Sequence, residues 1–341
     1  MSPVNVEKRE KPLESLPVVG ITMGDAAGIG PEVVLKALAD KTLRTICLPA
    51  IIGDASFLKK AADKLGLRFD FSDASDGITP DPEKVFVFDL GNLPGDAAGG
   101  EESGITGKAS AEYIETAVKL WRENKIGGIA TAPISKKAIA LGGYDFPGHT
   151  EFLASLTGTE KFAMSFFAEK LRVVLLSTHV SLRSAIDLVR KDALVDLTAF
   201  SCAQLSKLLG KDVKIAVAGL NPHASEGGMF GGEEDAEIGP AVRECRENLG
   251  LDVWGPYSPD TIFLRGFQGE FDAVIACYHD QATIAVKSLS FGESVNVTLG
   301  LPLVRTSVDH GTAFDIAGKG IADESSMKAA IRLAAKLIRR S

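Results

Sequence analysis

The sequence predicts an α/β protein built on a largely parallel sheet with helices on both faces. Short apolar runs rich in Val and Ile alternate with segments of helical period along the chain. Strands that are apolar throughout, rather than at every second residue, belong in a sheet covered on both sides. Glycines gather where those runs end, the position at which α/β proteins keep ligand-binding loops. At 341 residues the chain is long for one simple domain. No repeat, low-complexity stretch or Pro/Gly-rich linker divides it, so two lobes are expected that are not strung like beads.

In chain order, "MSPVNVEKREKPLESLP" is polar and lacks the apolar core of a signal peptide, so residues 1–16 read as a frayed tail. "PVVGITM" is the first strand. It runs into "GDAAGIGPEVVLKAL", with Pro31 at a helix start and Glu32 in the first turn. That turn lacks the Lys-Ser/Thr ending of a P-loop, and its glycines at 24, 28 and 30 are out of register with G-x-G-x-x-G. "TICLPAIIG", "VFVFDLG", "GGIATAP", "LRVVLLST", "VKIAVAGLN", "FDAVIACY" and "VNVTLGLP" read as further strands. In "AEYIETAVKLWREN", Ile114, Ala117, Val118 and Trp121 share a helix face. In "KDALVDLTAFSCAQLSKLLG", Leu194, Leu197, Leu205 and Leu208 do the same, and Gly210 suits a C-cap. The last helix, "SSMKAAIRLAAKLIRR", ends in arginines that complement its dipole.

Composition excludes several functions. A net charge of −8 argues against a nucleic-acid or anionic-membrane surface. No stretch approaches the roughly 18 apolar residues of a membrane helix, and a cytoplasmic protein is expected. Cys47, Cys202, Cys245 and Cys277 are far apart with no C-x-x-C spacing, which argues against a disulfide framework or a cysteine zinc site.

Three of the five histidines share one context. "LRVVLLSTH" ends at His179, "VKIAVAGLNPH" at His223 and "FDAVIACYH" at His279, each just past an apolar strand. In a parallel sheet such ends share an edge, and three neutral imidazoles suit Zn²⁺, Co²⁺ or a similar divalent ion. For any one histidine alone, a structural or surface role is the commoner case. The other two are His149 in "YDFPGHTEFLASL", where Thr150 suits an N-cap, and His310 in "TSVDHGTAFDIAGKG". Arg305 follows an apolar run, where an unpaired charge is costly. It either meets a carboxylate of the protein or awaits an anionic substrate, and Lys287 and Asn296 nearby fit the second case.

"HGTAFDIAGKG" is similar to the adenosine loop of the isocitrate and isopropylmalate dehydrogenases, and "GIGPEV" to their first βα turn. By that resemblance Asp315 and Ile316 face the adenosine ribose, in a loop that opens with His310, Gly311 and Thr312. An acid there repels a 2′-phosphate, so NAD is expected rather than NADP.

From about Val18 onward the chain resembles the 4-hydroxythreonine-4-phosphate dehydrogenase (PdxA) family. The resemblance rests on "TMGDAAGIGPE", "TAPISK", "PGHTEF", "STHVSLR", "NPHASEGG", "PDTIF", "YHDQ", "VNVTLGLPLVRTSVDHGTA" and "AGKG", in that order. It implies a two-subdomain α/β/α homodimer, isocitrate/isopropylmalate-dehydrogenase-like, with the active site in the interlobe cleft at the dimer interface. One subdomain would take 17–140 with about 305–341, the other about 141–304. His179, His223 and His279 would hold one divalent metal (Zn²⁺, alternatively Co²⁺ or Mg²⁺). His149, Thr150, Lys287, Asn296 and Arg305 would contact substrate, and Lys136 in "APISK" is a candidate acid/base.

The implied reaction is NAD-dependent oxidation, with decarboxylation, of 4-phosphooxy-L-threonine in pyridoxal phosphate biosynthesis. D-threonate or D-erythronate 4-phosphate is the alternative substrate. More remote are a three-histidine metal hydrolase, which has no need of "HGTAFDIAG", and a non-catalytic phosphometabolite-binding protein. A branch of the family that oxidises an aromatic cis-dihydrodiol departs around "GHT" and "SVDHGT", both kept here. Two departures stand out. Ala26 replaces a usual proline in the first turn, and "ATIAVK" before Lys287 lacks a common proline, which is expected to loosen the backbone there.

Overall fold

The computed structural model describes residues 16–75, 77–95, 100–290 and 292–340. The tail expected over 1–16 therefore lies outside the described residues, apart from Leu16, which is buried. The first part of the chain runs β1 (Val18–Thr22), α1 (Gly30–Ala39), β2 (Leu48–Gly53), α2 (Ala55–Lys64), β3 (Asp70–Asp73) and β4 (Lys84–Asp89). It continues through α3 (Gly104–Arg122), β5 (Gly128–Thr131), α4 (Lys136–Leu141), α5 (His149–Thr157), β6 (Ala163–Ala168) and β7 (Leu171–Leu175). Next come α6 (Leu182–Asp187), α7 (Lys191–Leu209), β8 (Ile215–Ala218), α8 (Gly239–Arg243), β9 (Val253–Tyr257) and α9 (Pro259–Gln268). The last elements are β10 (Ala273–Ala276), α10 (His279–Leu289), β11 (Val295–Leu299), β12 (Val304–Ser307) and α11 (Ser325–Ile338). No helix among the described residues is long and apolar enough to cross a membrane.

The α/β expectation holds, and all eight expected strands form. They join one sheet in the order β3-β4-β2-β1-β5-β12-β11-β6-β7-β10-β8-β9. Eight of its eleven pairings are parallel. The three antiparallel ones, β12–β11, β11–β6 and β6–β7, lie together in the middle. Short connections across Gly300 and Glu169 force two of them, because a parallel pair needs a long crossover. Strand direction therefore reverses across the sheet, and β7, β10 and β8 end on the edge opposite to β1, β5 and β12.

Four strands had no clear signal. β3 ("DFSD") is a polar edge strand, and β9 is an edge strand containing Pro256 with a register irregularity. β6 and β12 belong to the antiparallel centre, outside the βα alternation that the reading relied on.

One apolar cluster fills the space around β1, β2 and β5 beneath α1, α3 and α11, and a second lies between β7, β10 and α9. Ile114, Ala117 and Val118 of α3 are buried as the periodicity predicts, and Gly210 caps α7 in the left-handed region. All four cysteines are free and buried. "ATIAVK" is not loosened. Without a proline, α10 continues unbroken through Lys287 to Leu289.

Helix α3 crosses α4 with no side chain between their backbones. A Cβ at Gly107 would overlap the Ala138 carbonyl, with no flexible atom to yield. Gly107→Ala should therefore cost about 3 kcal/mol or more, read as a lowered urea midpoint with unchanged slope.

Candidate active site

Two groups of predicted residues assemble on this sheet. The first centres on Arg305 in β12, between β5 and β11. Only 4% of Arg305 is exposed. Its Nη1 donates to Asn296 Oδ1 and Thr298 Oγ1, each at 3.1 Å, and its Nη2 to Thr131 Oγ1 at 3.0 Å. Nε is buried without a partner. Arg305 makes no ion pair among the described residues, so the carboxylate alternative does not hold. Burial pulls its pKa down to about 10, with Glu151 only partly opposing. A cation kept dry by three neutral acceptors is short of one anion.

Thr150 and His149 approach the same spot. Thr150 Oγ1 lies 3.5 Å from Thr298 Oγ1. The expected cap is corrected here: Gly148 is the N-cap and α5 begins at His149, which leaves the Thr150 hydroxyl inside the first turn. Gly148 has extended backbone and no Cβ, so the chain can enter beside Lys136, whose Cε is 3.7 Å from where that Cβ would be. Lys136 itself is exposed and opens α4 behind the Ser135 cap. His149 Nε2 is buried and unpartnered. Burial, with the Arg305 charge nearby, holds the imidazole well below its usual range, so it is neutral. Lys287 stands apart, exposed in the last turn of α10.

The β1–α1 turn meets the loop after β12. Ile29 N donates to Thr312 O at 2.9 Å, and a Cβ on Gly28 would overlap Thr312. Glu32, 4% exposed, accepts from Gly320 N at 3.2 Å and Ala322 N at 2.8 Å, tying the far end of the loop to α1. Half-buried His310 has Nδ1 3.0 Å from Gly311 O and an unpartnered Nε2. Asp315 is exposed on a single 3₁₀ turn, Phe314–Ile316, with Ile316 partly buried beside it. This exposed carboxylate beside a glycine turn, with orphaned polar atoms below, fits a nicotinamide cofactor.

Sequence reasoning missed Thr131 and Thr298, which satisfy Arg305, and Asp25 and Thr22 below the glycine turn. Asp25 Oδ1 accepts from Ala27 N at 2.9 Å, while its Oδ2 and Thr22 Oγ1 are buried without partners. Burial raises the Asp25 pKa. The available signal was hydroxyl residues at strand positions near an arginine, too common a pattern to single out.

The three histidines form the second group. Strands β7, β10 and β8 are adjacent and parallel, with β10 in the middle, so His179, His279 and His223 leave one edge. The His179 and His279 rings lie 6.0 Å apart between centroids. Two imidazoles on one ion, with N–metal distances of ~2.0–2.1 Å, place their centroids roughly 5–6.5 Å apart, so this pair fits a shared ion. His223 does not join them. It opens a run of four left-handed residues, His223 to Glu226, and its ring is 6.2 Å from Phe230. Among the described residues no three His, Cys, Asp or Glu side chains form a metal-sized group.

That loop is pinned rather than loose. Buried Glu234 accepts from Leu220 N at 2.8 Å and from Asn221 N at 2.7 Å. Gln281 accepts from Cys277 N at 2.7 Å and donates to Gly219 O at 2.8 Å, locking β10 to β8. No hydrogen bond or ion pair among the described residues joins the histidine group to the Arg305 group.

The fold and these groups are those of a dehydrogenase. Residues 45–334 match the family described as Pyridoxal phosphate biosynthetic protein PdxA, and the chain belongs to that family. It is 47% identical to the D-threonate 4-phosphate dehydrogenase of Cupriavidus necator, over 95% of this chain and 98% of that one. It is 42% identical to the 4-hydroxythreonine-4-phosphate dehydrogenase of Desulfosudis oleivorans, over 93% and 95%. Among solved structures, a 4-hydroxythreonine-4-phosphate dehydrogenase from Burkholderia phymatum superposes with a TM-score of 0.83 at 46% identity, covering 94% of this chain and 98% of that one. A terephthalate 1,2-cis-dihydrodiol dehydrogenase from Burkholderia xenovorans is more distant, at TM-score 0.62 and 28% identity over 94% of this chain and 97% of that one.

Because folding keeps His149 neutral, the unfolded chain binds the extra proton below the ordinary imidazole value of 6.5. The stability this contributes is complete above that pH and is lost as pH falls toward the lower folded value. Urea titrations between about pH 7 and pH 5 should show a steeper loss for the natural chain than for His149→Asn. Parallel slopes would refute a neutral, buried His149.

Proposed function

We propose that the chain oxidises, with decarboxylation, a phosphorylated four-carbon hydroxy acid, 4-phosphooxy-L-threonine being the first substrate assigned. The observation that carries this reading is Arg305, buried with three neutral acceptors and no counter-charge. A phosphate or carboxylate oxygen supplies the missing charge and completes its hydrogen bonding. Asn296 and Thr298 hold the guanidinium in place. Neutral His149 offers Nε2 to the same oxyanion, the Thr150 hydroxyl reaches it from the first turn of α5, and Lys287, on α10 with the histidine group, meets the other end of the substrate where a second copy brings that group alongside. Lys136, at the entrance to α5, is the candidate to take or return the hydroxyl proton.

NAD is the hydride acceptor, with His310, Gly311 and Thr312 along it and with Asp315 and Ile316 at its ribose, where exposed Asp315 disfavours the 2′-phosphate of NADP. A divalent ion held by His179 and His279, with His223 the third ligand once its ring turns toward them and Zn²⁺ the first choice, would supply the Lewis acidity that lowers a hydroxyl pKa.

We also place the active protein as a cytoplasmic homodimer. Val180, Leu182, Ile186 and Leu188 after His179, and Met229 and Phe230 after His223, are large apolar side chains left exposed around the histidine group. Large apolar side chains gathered on a surface mark interaction sites. A second copy covering these would bring the histidine group of one chain to the Arg305 group of the other. A second substrate reading, D-threonate 4-phosphate, is favoured by the relative at 47% identity.

Metal-loaded protein should form NADH with 4-phosphooxy-L-threonine. Turnover of D-threonate 4-phosphate alone would move the assignment to the second reading, and turnover of neither would overturn both. Arg305→Met should lower kcat/KM about 100-fold or more without lowering thermal stability, since the buried charge is itself costly. His279→Ala should leave the circular dichroism spectrum intact and abolish stoichiometric metal in elemental analysis.

A further inference from the structure

A cavity of about 530 Å³ opens where β1, β5 and β12 begin, at the end of these strands opposite the glycine turn. Its size lies in the range of small-molecule sites, roughly 300–1,000 Å³. The β11–β12 turn forms its floor, with Leu299, Leu301 and Leu303. Trp121 of α3 and Leu208 of α7 form apolar walls. No histidine lines it. Thr298 and Arg305 of the same hairpin do, but the Arg305 guanidinium is engaged by Asn296 and Thr131, toward the other end of the strands.

The polar part of the lining is one-sided. Lys125, Lys207 and Arg305 are joined by Asn124, Gln204 and Thr298, and the described lining includes no Asp or Glu, in a chain whose net charge is −8. Lys125 reaches Glu123 at 3.1 Å, while Lys207 makes no ion pair among the described residues. Lysines near helix C-termini offset the helix dipole. That role explains neither the hollow between them nor the partly buried indole facing it.

We propose that this cavity is a second ligand site, for a small aromatic anion. The ring lies against Trp121 and the leucines, and the acidic group meets Lys207 with the Gln204 and Asn124 amides as further donors. The contacts proposed for this ligand fall on residues other than His149, the Arg305 guanidinium and the histidine edge.

The full chain carrying Trp254→Phe keeps Trp121 as its only tryptophan. Titrated with 8-anilinonaphthalene-1-sulfonate, it should take up one saturable molecule per chain and quench Trp121 as it does so. Lys207→Glu should weaken that binding about tenfold or more, whereas Lys64→Glu, remote from the cavity, should leave it unchanged. The uncharged N-phenyl-1-naphthylamine should bind more weakly than the sulfonate. Unquenched Trp121, equal affinity in the Lys207→Glu chain, or equal binding of the neutral probe would each overturn the proposal.

Discussion

A guanidinium sealed from water without a carboxylate beside it constrains everything around β12. Arg305 can be held only if neighbours on both sides supply hydrogen-bond acceptors, and Thr131 of β5 and Asn296 and Thr298 of β11 do so. This requires β12 to lie between a parallel and an antiparallel neighbour, which is where the hairpin from β11 puts it. Three successive antiparallel pairings, β12–β11, β11–β6 and β6–β7, leave β7 opposite in direction to β12. That net reversal sends the histidine-bearing ends of β7, β10 and β8 to a separate edge. The anion site depends on the first of these pairings and the histidine edge on all three.

Around both groups, loop geometry is fixed by buried polar side chains that serve backbone amides. Glu32 ties the loop beyond Asp315 to α1, Glu234 holds the approach to His223, and Gln281 fastens the start of α10 to β8. Buried backbone groups must find partners, and each of these side chains answers that need at a strand end. The left-handed run at His223 persists because Glu234 and the Ser225–Gly231 hydrogen bond hold its two ends. Rigidity here comes from side chains that the chemistry does not touch.

Much of the site was legible in the residues themselves. Arg305 after an apolar run announces a cation in need of a partner, protein carboxylate or ligand, and three histidines each following a strand announce a shared edge. Their strands do prove adjacent. Thr131, Thr298 and Asp25 were not legible, because a threonine in a strand or an aspartate in a turn is ordinary until its neighbours are known. The cap of α5 was misread for a related reason. Gly148 and Thr150 both suit helix starts, and only the Thr298 contact shows where the threonine hydroxyl is used.

The amino-acid sequence by itself determined the α/β class, eight apolar strands, the main helix faces and the residue types at each strand end. These follow from local periodicity and from the cost of burying polar groups, which act over a few neighbours. The tertiary structure alone decided the three antiparallel pairings, the polar and bulged edge strands, the acceptors around Arg305, and the separation of His223 from His179 and His279. Those depend on which distant segments become neighbours, and that is settled by packing the whole sheet.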